Sequence, residues 1–212
     1  MADPLIITAD TLRQRLAGTV LPLDPTDVIT PPGSGHWPAS MREQLQSTMH
    51  PAGVLIAVID RANTGLNLLL TQRSAELKHH AGQISFPGGR MEDDDADISV
   101  TALRETHEEV GIPPDEVNVI GYLEPMPTIT GYAVTPIVGL VDETVELEID
   151  RTEVEFTFEV PLSFLLDDAN RRFVERDLFG QKVPMIEFQF EGHRIWGATA
   201  FIIIEFLKIV IK

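Results

Sequence analysis

The sequence contains no cysteine. That excludes a disulfide, a thiolate nucleophile and a cysteine-ligated zinc, and it suits a reducing cytoplasm, the compartment expected for the protein. Basic residues are scarce: 16 Lys and Arg stand against 33 Asp and Glu, for a formal net charge of -17. A chain so acidic lacks the basic surface that binds nucleic acid and the polybasic patch that holds an anionic membrane, so neither is an expected partner. No apolar run reaches the roughly 20 residues that a spanning helix needs. The first ten residues, MADPLIITAD, have no basic region and no long apolar run, so no signal peptide is expected there. What is present is a chain of 212 residues, 43% hydrophobic, long enough for one domain with a substantial core.

Thr8 or Asp10 reads as the cap of a short helix with Leu12 and Leu16 on one side. Residues 21–38 are rich in proline and glycine and read as irregular structure, with Trp37 in an ordinary packing contact; a short helix is expected over residues 39–50. The division expected is an N-terminal extension over residues 1–50 and a main domain over residues 51–212. Residues 54–60 (VLIAVID) read as a buried strand with a hairpin partner at residues 67–71. Further strands are expected at residues 117–123, 132–141 and 154–160, with Pro136 suggesting an edge or a bulge. A short helix at residues 161–166 and a hairpin around Glu191-Gly192 follow. Residues 198–211 (ATAFIIIEFLKIVI) read as a closing helix so apolar that it needs cover on more than one side, from the core or from a second copy in a homodimer. Strands mixed with a few helices indicate an α+β or α/β sandwich.

One stretch stands out, residues 88–112: GGRMEDDDADISVTALRETHEEVGI. A glycine pair opens it, permitting a tight turn and close backbone approach to a ligand. Its end is helical, with Ala102, Leu103, Thr106 and Val110 toward the core and Gly111 as the left-handed stop. Glu105, Glu108 and Glu109 then share an arc of about 100° on one helix face. Two of these acids occupy the last turn, where the helix dipole prefers cations, and Glu105 repels Glu109 by roughly 0.2–0.5 kcal/mol. Acids set against both rules call for a hard divalent cation such as Mg²⁺ or Mn²⁺. Arg104 can fork onto one of the glutamates and fix its direction.

These residues resemble the Nudix box, the loop–helix–loop signature of enzymes that hydrolyse diphosphates linked to another group. The family pattern is glycine, five residues, glutamate, seven residues, then Arg-Glu-apolar-any-Glu-Glu-any-Gly-apolar. Here Gly89 leads to Asp95, which replaces the glutamate; the next gap is one residue longer; Arg104-Glu105, Glu108-Glu109 and Gly111-Ile112 follow, with Thr106 in the apolar place. The resemblance implies a Nudix-type α/β/α sandwich with a mixed sheet. It also implies Glu105 and Glu109 as primary metal ligands, Glu108 as the next, and Arg104 as their orienting residue.

Upstream lies a basic island in an acidic protein, with Arg73, Lys78, His79 and His80 against one acid, Glu76. Anionic substrate groups beyond the metal need such cations, and Arg73, Lys78 and His80 are candidates together with Gly88 and Gly89. The segment is similar to that of a narrower Nudix group, the coenzyme A diphosphatases. It has Leu69-Leu70-Thr71-Gln72-Arg73-Ser74, then Lys78 where arginine is usual, Gly82 and Phe86-Pro87-Gly88-Gly89. That group tolerates the longer box. Thr130-Gly131-Tyr132, Val134-Thr135-Pro136 and Trp196-Gly197 resemble its later segments. The likeness implies hydrolysis of coenzyme A or a thioester to 4'-phosphopantetheine, or its acyl form, and adenosine 3',5'-bisphosphate. Glu153 is the candidate further ligand or base outside the box. Two alternatives remain at this stage. One is a Nudix hydrolase for ADP-ribose, a dinucleotide or a nucleoside triphosphate. The other is a non-catalytic nucleotide-binding module.

Overall fold

A strand that is apolar at nearly every position must be covered on both faces. The run at the start of the main domain forms such a strand, β1 (His50–Arg61), near the middle of an eight-stranded sheet. Ile56 and Val58 enter one core with Leu12, Leu70 and Phe206, while Leu55, Ala57 and Ile59 enter another with Ile98, Ala102 and Val110. The computed structural model describes residues 7–29, 39, 42–43, 49–77, 80–178 and 181–212.

β2 (Gly65–Arg73) turns back antiparallel to β1, pairing Arg61 with Gly65 through Val58 with Leu68. Beyond that point the two strands part. β3 (Ile84–Ser85) pairs with the outer half of β2, and β4 (Gly88–Arg90) pairs with the first half of β1. The segment between residues 84 and 90 therefore fills the fork between β1 and β2. β5 (Val117–Tyr122) and β6 (Met126–Pro127) both lie antiparallel to β7 (Tyr132–Val141), which runs parallel to β1. β8 (Val154–Pro161) covers the other side of β2. The sheet is mixed, as expected.

Pro136 lies in an interior strand, not at an edge. It is tolerated because the neighbour changes there from β5 to β6. The Pro136 carbonyl accepts from the Leu123 N–H at 2.9 Å, so the side of the strand that lacks an N–H faces the break between those two strands.

Helices cover both faces. α1 (Ala9–Leu16) is capped by the Thr8 hydroxyl, which accepts from the Thr11 N–H, and buries Leu12 and Leu16. The chain after it stays on the sheet: the Thr19 hydroxyl accepts from the Tyr122 N–H, and the Ile29 N–H donates to the Pro125 carbonyl. Most of the helix expected at residues 39–50 lies outside the described residues, as does Trp37; His50 already belongs to β1. α3 (Leu162–Leu166) and α4 (Gly197–Val210) share the core that holds α1. α4 buries Ile202, Ile203, Phe206, Leu207 and Val210. No described helix is long and apolar enough to cross a membrane.

A second, three-stranded sheet follows the order β11 (His193–Trp196), β10 (Gln181–Phe190), β9 (Arg171–Leu178). The expected turn at Glu191-Gly192 is present, with positive φ at both residues. β9 was not expected: its sequence, RRFVERDL, is charged at most positions and shows no apolar alternation.

The opposite face of the main sheet carries α2 (Ile98–Val110) alone. Asp97 caps it, accepting from the Ser99 and Val100 N–H groups, and Gly111 ends it with φ 78°. α2 sits so close that a Cβ on Gly53 of β1 would lie 2.5 Å from the Ile98 carbonyl oxygen and 3.0 Å from the Ala102 nitrogen. Backbone on backbone leaves no side chain to move aside. Gly53→Ala is therefore expected to lower stability by about 1–3 kcal/mol in urea unfolding, the usual range for overpacking. A change under about 0.5 kcal/mol would mean the helix is free to lift.

Candidate active site

The end of α2 stands over the fork that β3 and β4 fill. Glu109 projects inward and is only 2% exposed. One carboxylate oxygen accepts from the Gly88 N–H at 3.1 Å; the other meets Arg73 Nη1 at 3.2 Å. Glu105, one turn earlier, lies on Gly89, where a Cβ would come within 2.3 Å of its Oε2. The close approach that the glycine pair permits is thus to the glutamates of α2. Glu108 diverges, its side chain 58% exposed.

Arg104 does not fork onto a glutamate. Its fork goes to Asp95: Nε to Oδ1 and Nη2 to Oδ2, each at 3.0 Å. The remaining nitrogen, Nη1, reaches Glu105 Oε1 at 3.0 Å and Glu108 Oε2 at 3.1 Å. Asp95 is 5% exposed and also accepts from the Thr101 hydroxyl and the Glu92 N–H. Arg104 holds its carboxyl down to about 2, and the Asp95 carboxylate in turn raises the Arg104 pKa. Asp95, which reading by residue type left without a role, is the anchor of Arg104. The signal that could have found it is its place in the glycine–acid–arginine spacing.

The acids outnumber the cations here. Burial pushes Glu109 up to about 7, against the opposing pull of Arg73 and the Gly88 N–H; the charges of Glu153 and Glu105 add to the rise. Burial raises Glu105 as well, against the pull of Arg104. Glu153 is exposed, but its backbone is fixed beside the site: its carbonyl accepts from the Ser74 N–H at 2.8 Å, and the Asp150 N–H donates to the Glu109 carbonyl at 3.1 Å. The chain just before it thus caps the end of α2. Among the described residues, no three acid or histidine side chains already form a cage for a metal ion. The carboxylates are held in ion pairs with Arg73 and Arg104. Their excess negative charge and all-oxygen donor set nonetheless fit a hard divalent cation.

The basic island is spread out. Arg73 is committed to Glu109. His80 is exposed, with φ 58° and Nδ1 2.9 Å from Gln83 Oε1. Lys78 lies outside the described residues.

A helix end bearing carboxylates, two arginines paired with them and a glycine turn beneath thus lie together on one face of the main sheet. Residues 49–176 match the NUDIX domain family. The chain is 44% identical over 156 residues to a Citrobacter koseri protein named Uncharacterized Nudix hydrolase NudL, covering 73% of this chain and 79% of that one. An Escherichia coli protein of the same name is 43% identical over 164 residues, covering 76% of this chain and 83% of its own. Among solved structures, a MutT/nudix family protein from Enterococcus faecalis shares the fold with a TM-score of 0.51. It is 15% identical and covers 78% of this chain and 64% of that one. The chain belongs to the Nudix hydrolase family.

Two outcomes follow from this geometry. Asp95→Asn removes the charge that anchors Arg104, and with it the direction of Glu105. Activity is expected to fall about 10–100-fold, the usual effect of losing a partner of a metal ligand, and weaker Mn²⁺ binding by electron paramagnetic resonance should accompany the loss. Unchanged activity would free Arg104 of that task. The second outcome concerns pH. Glu109 has its folded-state pKa raised, so it is protonated below about 7 and charged above it. The stability it confers is present at low pH and lost as pH rises through 7, and its charged form is the one that attracts metal. Mg²⁺ should therefore raise the melting temperature more at pH 8 than at pH 6. Equal shifts would contradict the assignment of Glu109.

Proposed function

We propose that the protein hydrolyses the diphosphate bond of coenzyme A or its thioesters, giving 4'-phosphopantetheine, or its acyl form, and adenosine 3',5'-bisphosphate. The observation that carries the reading is where the segment resembling the coenzyme A diphosphatases lies. Residues 69–74 end β2 with Arg73, residues 86–89 enter β4 with Gly88, and both Arg73 and Gly88 bond the carboxylate of Glu109. The group-specific stretch and the end of the box thus make one unit around one buried acid.

A bound Mg²⁺ or Mn²⁺ supplies neutralisation of the diphosphate oxygens and of charge on the leaving phosphate. Glu105 and Glu109 are the residues that would hold it, with Glu108 as a further ligand. Arg104, locked to Asp95, keeps Glu105 directed inward. The Gly88 N–H fixes one oxygen of Glu109, and the other, now paired with Arg73, is the one that would be given to a metal, with Arg73 then available to a substrate phosphate. Glu153, on a backbone tied to Ser74 and next to the residues that cap the end of α2, is the candidate for a further metal ligand or for the base that takes a proton from the attacking water. His80 and Lys78 remain candidates for the anionic groups of the substrate, as do the backbone groups of Gly88 and Gly89.

Product analysis after incubation with coenzyme A and Mg²⁺ or Mn²⁺ tests the reading. Adenosine 3',5'-bisphosphate and 4'-phosphopantetheine are the expected products. Faster release from ADP-ribose, a dinucleotide or a nucleoside triphosphate would move the substrate elsewhere in the family. No metal-dependent product from any of them would mark a binding module. Glu109→Gln should cost at least about 10³-fold in kcat, because a metal's stabilisation of transition-state charge is worth several kcal/mol. The variant should still fold, as shown by an unchanged circular dichroism spectrum. Retained activity at saturating Mg²⁺ would remove Glu109 from the reaction.

A further inference from the structure

Coenzyme A carries a phosphate on its ribose besides the diphosphate, and that group needs a cation of its own. Arg73, the best placed arginine of the basic island, is taken up by Glu109. The fold supplies another from far along the chain. β11, one edge of the small sheet, lies beside β3. Between them runs a cleft of about 370 Å³ lined by Gln72, Gly82, Gln83, His193, Arg194 and Trp196, among others. Its size is within the range of small-molecule sites.

Arg194 is the unusual member of this set. Its guanidinium lies over the Trp196 ring, 4.8 Å from the centroid. In a chain with twice as many acids as bases, it meets no carboxylate among the described residues. The indole covers one side of an otherwise exposed guanidinium, whose donors can give two parallel hydrogen bonds to a phosphate. His193, alongside, is held in place by Phe158 at 4.6 Å and Phe156 at 5.1 Å. The cleft lies against the strand that also carries Arg73. Gln72 lines it, and the next residue, Arg73, holds Glu109 from the other face of the same strand. The turn between them closes back onto Arg73, whose N–H donates to the Gln83 carbonyl and whose carbonyl accepts from the Gly82 N–H.

We propose that this cleft receives the phosphorylated nucleoside end of the substrate, with Arg194 binding the phosphomonoester while the diphosphate lies over the end of α2. The assignment rests on the coenzyme A reading above and adds the residue that selects for the extra phosphate.

The test compares kcat/KM for coenzyme A and for dephospho-coenzyme A, which lacks that phosphate. It uses the wild-type protein, Arg194→Ala, Arg194→Gln, which keeps a stem over Trp196, and Arg194→Lys. The ratio of the two constants is expected to fall about tenfold in the alanine and glutamine variants, mainly through KM for coenzyme A, and to recover in part with lysine. Inhibition by adenosine 3',5'-bisphosphate should weaken by a similar factor, and inhibition by adenosine 5'-phosphate less. A ratio within twofold of wild type in both the alanine and glutamine variants would overturn the proposal while leaving the substrate reading intact. A fall in the alanine variant alone would show a packing role for the stem and would overturn it too. No product from either substrate with the wild-type protein would sink the substrate reading, and this assignment with it.

Discussion

The seating of one helix on a split sheet governs the rest of the molecule. α2 can bring its carboxylates to the fork between β1 and β2 only because no side chain stands between helix and strand. Gly53 admits the helix backbone at its start, and Gly89 admits the Glu105 carboxylate toward its end. A Cβ at Gly53 would push the helix backbone away from β1, and one at Gly89 would displace the Glu105 carboxylate. Either shift disturbs the cluster that the bond from the Gly88 N–H to Glu109 holds together. Packing density and the position of the acids are therefore one constraint.

Electrostatics oppose that seating. Carboxylates near the end of a helix face the negative end of its dipole and repel one another. The protein offsets this with two arginines used differently. Arg73 comes from β2 and meets a carboxylate that is nearly sealed from water. Arg104 belongs to α2 itself and is tethered from outside the helix by Asp95, so that one guanidinium serves three acids. Even so, burial leaves Glu109 raised to about 7, the condition of a group still short of positive charge.

Much of this was legible in the residues. The two-sided burial of β1, the left-handed stop at Gly111 and the turn at Glu191-Gly192 each follow from a local rule, and the structure has all three. The destinations of the arginines were not legible. Helical spacing allows Arg104 to meet Glu108, and it does, but nothing in that spacing reveals that the loop before the helix returns to take the better half of the guanidinium. Gly53 was silent because its role depends on a helix that begins 45 residues later. β9 was hidden because an edge strand has little need of apolar alternation. The meeting of β11 with β3 depends on how the small sheet docks, which no local pattern encodes.

The departures of the box from its family pattern also take on meaning in three dimensions. An aspartate in place of a glutamate is shorter by one methylene, and taken alone it would fall short of the arginine. Here the stretch between that acid and the arginine is longer by one residue. Asp95 still presents both oxygens to Arg104 at 3.0 Å, with a third contact to the Thr101 hydroxyl in the first turns of the helix. The two changes offset each other, because the added residue gives the loop the reach that the side chain gave up. A pattern that counts residues registers two faults at this point, whereas the geometry keeps one intact bidentate pair. The arginine is held by both Asp95 oxygens, and its remaining nitrogen meets Glu105 and Glu108.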